Sequence, residues 1–188
     1  MTSARIAPGG RSDVGLLGWI VSSVAGMVAG TEPPNLFLTL GRHRRLFRGW
    51  LHFAGRLMPG GVLPRRETEL AILRVAHLAS CRYEFDHHVR LGRRAGLGQA
   101  DFDRVVQGLE APGWTDRERA LLTAVDRMHA DRDLDDPSWE SLRAHLDERE
   151  AIELCLLAGH YEMLATTIAT LRIQPDRARR RGRPTRRR

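Results

Sequence analysis

The sequence predicts an all-α protein. Apolar residues recur at spacings of three and four throughout. No run alternates apolar and polar residues as a half-buried strand does. Helix start and stop residues bracket the apolar runs. The 188 residues fit one domain, and a chain of this length can bury roughly 70% of its unfolded surface. With 42% hydrophobic and 28% charged residues it reads as a soluble globular protein. Only Cys81 and Cys155 are present, which excludes a disulfide framework.

Residues 1–13 are mostly small or polar and read as a flexible arm. The helical domain is expected over residues 14–175. Its first helix, Leu16–Val28, stops at Gly30 and Pro33-Pro34. The apolar run Val14–Ala29 is interrupted by serines and glycines and reads as too short to span a bilayer. A signal peptide is the rival reading, with Arg5 and Arg11 as its basic region. Asp13 abuts the apolar run and no A-x-A site follows, so the cytoplasm is the expected location.

Asn35 can cap a helix reaching Leu46, and Phe47–Met58 forms the next, ended by Pro59-Gly60-Gly61. Pro64 suits the first turn of an apolar helix, Arg65–Ala79. Ser80 would cap a helix over Cys81–Ala95, closed by Gly96. A short helix follows between Gly98 and Gly108. Thr115 and Glu118 form a capping box for a helix to about Ala130. Asp136-Pro137 reads as a cap with proline at the first helical position. Acids at Asp147, Glu148 and Glu150 open the last helix, through Leu171.

All 30 basic residues other than histidine are arginine, and eight stand in residues 177–188. Residues 1–176 then hold 22 arginines against all 23 acids. The folded part is neutral, which removes the main argument for a nucleic-acid-binding domain. Residues 176–188 read as a disordered basic tail. It is a solvated extension, or holds nucleic acid or an anionic surface by salt-sensitive attraction.

The chemistry concentrates between Glu69 and His88. On a helical wheel Cys81, Glu84 and His88 fall at about 0°, 300° and 340°, so thiol, carboxyl and imidazole share one face. Cys81 at a helix start would have its thiolate favoured by backbone N–H groups, while Glu84 opposes it. If the two are close, one of them holds its proton near neutrality. Glu69 lies in a helix apolar on most sides, where a carboxylate needs a partner. The bland readings are a core thiol at Cys81, a surface pair at Glu84 and His88, and a structural Glu69. His87 reads as solvent-facing, Tyr83 and Tyr161 as packing residues, and Cys155 as core. No metal-ligand spacing stands out. The dipeptides Tyr83-Glu84 and Tyr161-Glu162 hint at an internal duplication.

The segment resembles the carboxymuconolactone decarboxylase and AhpD-like alkylhydroperoxidase family. AhpD-type members carry Glu, then Cys at +12, Cys at +15 and His at +19. Here Glu69 is followed by Cys81, Glu84 and His88 at those offsets. The second cysteine is replaced, and the 84/88 pair looks like the decarboxylase branch. The resemblance spans roughly Asn35 to Ile173. It implies an AhpD-like helical bundle, a site at a subunit interface, a homo-oligomer (trimer or hexamer), and no metal or organic cofactor.

Three functions remain open. One is a cofactor-independent enzyme acting on a small organic acid or lactone. In it His88 is the acid/base, Glu84 its orienter and Glu69 a second proton-holding carboxyl. Another is an AhpD-like peroxidase with peroxiredoxin-type activity, in which Cys81 reacts and an external thiol regenerates it. The third is a non-catalytic helical oligomer with a basic tail.

Overall fold

The computed structural model describes residues 3–179. They are helical throughout, with no strand among them and one isolated antiparallel bridge, Thr31 to Ala178. The chain divides into two compact units, Met1–Gly49 with Arg172–Arg188, and Trp50–Leu171.

In the first unit, α1 (Arg11–Ala29) opens with a short turn and is interrupted at Gly15 (φ 74°, ψ 167°), so its continuous part begins at Leu16, as the apolar pattern predicts. The Gly10 N–H donates to Asp13 Oδ2 at 2.8 Å and fixes the start. Counted across the break at Gly15, α1 has the length and composition of a membrane span, while its unbroken part is shorter than the roughly 20 residues a span needs. α1 buries a stripe of Val14, Gly18, Ser22, Gly26 and Ala29. Gly26 is required, because a Cβ there would lie 2.6 Å from the Glu32 carbonyl oxygen.

α2 (Asn35–Leu40) ends before the predicted Leu46. The chain turns at Gly41, where a Cβ would meet Val14 Cγ1 at 2.7 Å. Asn35 is not the cap. Its N–H donates to Asp176 Oδ1 at 2.8 Å, and its amide donates to the Gln174 and Pro175 carbonyls. Residues 176–179, read from the sequence as the start of the tail, thus lie along residues 30–35: the Glu32 N–H donates to the Arg177 carbonyl and the Arg179 N–H to that of Gly30. Residues 180–188 lie outside the described residues.

The division between units falls within α3 (Arg44–Leu57). The second unit is built around α4 (Arg65–Leu78), which packs against α5 (Arg82–Arg94), α6 (Gln99–Gln107), α7 (Asp116–Asp131) and α9 (Glu148–Leu171). Every residue from Thr68 to Ala76 is buried. α8 (Asp136–Arg143) packs on α7 and α9.

The predicted Thr115–Glu118 capping box is present. The α8 cap is Asp135, one residue earlier than expected, accepting from the Ser138 N–H at 2.9 Å. Asp147 and Glu150 cap α9 reciprocally. α9 also meets the length and composition of a membrane span, but it is a core helix with buried residues along its length.

Two arginines, buried Arg74 and half-buried Arg66, tie the second unit together. Arg74 holds Asp126 through two hydrogen bonds of 2.6 and 2.7 Å and donates to the Val105 carbonyl. Arg66 bridges Asp101 and Glu118.

Candidate active site

The site is set by the turn between α4 and α5. Ser80 is not an N-cap. It sits at φ 52°, in the left-handed region, as the residue that stops α4. The Cys81 N–H returns to the Ala76 carbonyl at 2.8 Å, and Cys81 itself is the N-cap of α5. This tight reversal folds α5 back along α4 and places residue 69 beside residue 88.

The Glu69 side chain is fully buried, and its Oε2 lies 2.8 Å from His88 Nδ1. Its other oxygen, Oε1, accepts from Arg65 at 2.6 Å. With a carboxylate oxygen as acceptor, Nδ1 donates and Nε2 holds the lone pair of the neutral ring. Burial pushes His88 below the ordinary histidine value, and the Glu69 hydrogen bond and charge oppose that shift. Glu69, and not Glu84, is therefore the group that orients His88.

Glu84 is also buried, and neither carboxyl oxygen has a hydrogen-bond partner among the described residues. Desolvation raises it to about 8, with the charge of Glu162 adding to the rise. The Cys81 thiol opposes the shift as a close neighbour that lacks the alignment of a hydrogen bond. Cys81 is pushed up to about 12 by burial, then by the charge of Glu84. The Glu84 and Tyr83 backbone N–H groups lower it, as expected at a helix start, and are outweighed. Both members of the pair thus hold their protons near neutrality.

Two further residues belong here. Tyr161 meets His88 edge to face, with ring centroids 5.0 Å apart. Its hydroxyl is raised well above the ordinary tyrosine value by burial, then by Glu69 and Glu84. His160 lies against Trp50, Phe53 and Tyr161, and burial lowers it to about 4. The Tyr161-Glu162 dipeptide was the sequence's only pointer to this part of α9. His87 is half-buried and not solvent-facing. Cys155 is exposed and not core, because it lies off the buried stripe of α9. Among the described residues no group of three or more His, Cys, Asp or Glu is arranged to hold a metal ion.

Residues 44–127 match the profile of the carboxymuconolactone decarboxylase family. This stretch belongs to that family. The match covers α3 to most of α7 and includes all four residues of the Glu69–His88 motif. Solved structures extend the likeness over more of the chain. An AhpD-core, peroxidase-related protein from Ralstonia eutropha has TM-score 0.81 at 21% identity, covering 93% of each chain. A protein of unknown function from Agrobacterium tumefaciens, described in connection with the antioxidant defence protein AhpD, is 25% identical. Its TM-score is 0.64, over 69% of this chain and 89% of its own. The debrominase Bmp8, as a cysteine-to-alanine variant with 2,3,4-tribromopyrrole, has TM-score 0.77 at 18% identity, covering 92% of each chain. No curated protein matches the chain. The family's helical, AhpD-like fold is therefore the fold of this protein.

Proposed function

We propose that the protein is a cofactor-independent enzyme that moves a proton on a small organic acid or lactone. The observation that carries this reading is the buried Glu69–His88 hydrogen bond of 2.8 Å, which holds a neutral imidazole in one tautomer. His88 Nε2 is the acid/base atom. Glu69, anchored by Arg65, orients the ring. Glu84, protonated up to about pH 8, is a second proton donor whose oxygens have no internal partner to give up. In a decarboxylation the carbon–carbon bond breaks, CO₂ leaves, and the electron pair stays on the lactone as a dienolate. That carbanion equivalent needs one proton, which the protonated Glu84 carboxyl can supply.

The AhpD-type peroxidase is the second reading, favoured by the names of the solved relatives. Against it stand the missing vicinal cysteine at position 84 and a Cys81 thiol raised to about 12. The test sets wild type, Cys81→Ser and His88→Asn against carboxymuconolactone, and against cumene hydroperoxide with dithiothreitol. Lactone turnover that survives Cys81→Ser and falls at least roughly 100-fold in His88→Asn is expected. Peroxide consumption abolished by Cys81→Ser, with no lactone turnover in any variant, overturns the proposal.

The same reading includes a cytoplasmic homo-oligomer. Two free cysteines fit a reducing compartment. Ile152, Leu156 and Met163 stand exposed along one core helix, an apolar surface of the kind a second copy would cover. Light scattering on the full chain reports the subunit number, and a monomer would remove that part of the proposal.

A further inference from the structure

A second cluster lies outside the Glu69–His88 motif, between α7 and α9. On α7, Val125, Met128 and His129 share one helix face, with Arg132 just past the helix end, and on α9 Cys155, Ala158, Gly159 and Glu162 follow the i, i+3, i+4, i+7 spacing of one face. The two stripes enclose a cavity of ≈ 300 Å³, with Val75 of α4 also in its wall. That volume is at the lower end of small-molecule sites, which run from about 300 to 1,000 Å³.

One wall is apolar, formed by Val75, Val125, Met128 and Ala158. The polar groups converge at the other side. His129 Nδ1 is held by Glu162 Oε1, and Arg132 lies 3.6 Å from Glu162 Oε2. Glu162 is the only carboxylate lining the cavity, and its charge is already shared by two partners. Arg132 has a 69% exposed side chain and no hydrogen bond among the described residues. It adopts φ 62° at the end of α7, a conformation usually left to glycine.

Gly159 leaves open space beside these groups. A glycine inside a helix is unfavourable unless something requires it. A Cβ here would meet nothing within 4 Å, so packing within the chain does not require it. The same holds at Gly49 and Gly55 of α3; at Gly159 the open space is part of the cavity.

We propose that this cavity binds a small planar monoanion with an apolar body, such as an aromatic carboxylate. The ring lies between the α7 and α9 stripes, in the space left at Gly159. The charge is met by the Arg132 guanidinium, whose contact with Glu162 is a long 3.6 Å. The cavity lies outside the Glu69–His88 pair and neighbours it through Glu162, whose charge also reaches Glu84.

The test uses the full chain with benzoate as probe and benzamide, its neutral counterpart, as control. Binding is read by amide chemical-shift titration and by protection of Cys155, in the cavity wall, from iodoacetamide. Benzoate is expected to bind saturably, to slow Cys155 alkylation, and to bind roughly tenfold tighter than benzamide, the effect of a hydrogen bond to a charged group. Arg132→Gln should reduce benzoate to the benzamide level, and Gly159→Phe should abolish both. Equal binding of benzoate and benzamide, unchanged affinity in Arg132→Gln, or Cys155 reactivity indifferent to benzoate overturns the proposal. Arg132 is a surface residue, so that arm holds even where Gly159→Phe fails to fold.

Discussion

Replacing Glu84 by Gln should change how stability depends on pH. A carboxyl at about 8 in the folded protein and 4.5 in its ordinary state binds more protons folded than unfolded between those values. Unfolding free energy therefore falls as pH rises through this window. The rise corresponds to about 5 kcal/mol once the group is ionised in both states, at 1.36 kcal/mol per pH unit. About 1 kcal/mol of that is reached at pH 5 and about 3 kcal/mol at pH 7. Glutamine keeps the shape and cannot ionise. Any penalty for its unpaired amide is the same at both pH values and cancels. The stability of Glu84→Gln relative to wild type should thus improve by roughly 2–3 kcal/mol between pH 5 and pH 7. Urea unfolding at fixed protein concentration measures it. A difference between the two proteins that is constant across that range refutes a buried, proton-holding Glu84.

Other outcomes follow from the same geometry. Glu69→Gln leaves His88 Nδ1 with a poorer partner and Arg65 with no charge to meet, so it should destabilise by ~1–3 kcal/mol and lower turnover with little change in KM. Thiol labelling at pH 8 should find one accessible cysteine, Cys155, with the buried Cys81 reacting only on unfolding; fast labelling of Cys81 would restore the peroxidase reading. Arg74→Met removes the partner of Asp126 and the donor to the Val105 carbonyl, and should cost about 3–5 kcal/mol in chemical unfolding. A loss below about 1 kcal/mol would show that water replaces the guanidinium there.

The helices were legible because periodicity and caps are local signals. Thr115 with Glu118 marked the start of α7, and the apolar run after Pro64 marked the buried α4. The errors arose where a distant residue decides. Asn35 looked like a cap, but the acceptor is Asp176, 141 residues away. Ser80 has a cap's chemistry, but the turn needed a left-handed residue there. The four motif residues were found by spacing, while their roles were not. Glu84 shares a helix with His88, so the wheel paired them, and only the antiparallel packing of α4 and α5 shows that Glu69 is the partner. Tyr161 and His160 join the site from a helix more than 70 residues on. No local pattern reports such a meeting.

The proposed chemistry requires a neutral His88 with its proton on Nδ1 and a basic Nε2. Nitrogen NMR of the labelled imidazole, followed from pH 8 to pH 5, reads both nitrogens directly. A protonated Nδ1 and a bare Nε2 are expected at pH 7, with the second proton added only below the ordinary histidine value of 6.5. A ring doubly protonated at pH 7, or one carrying its single proton on Nε2, would contradict it.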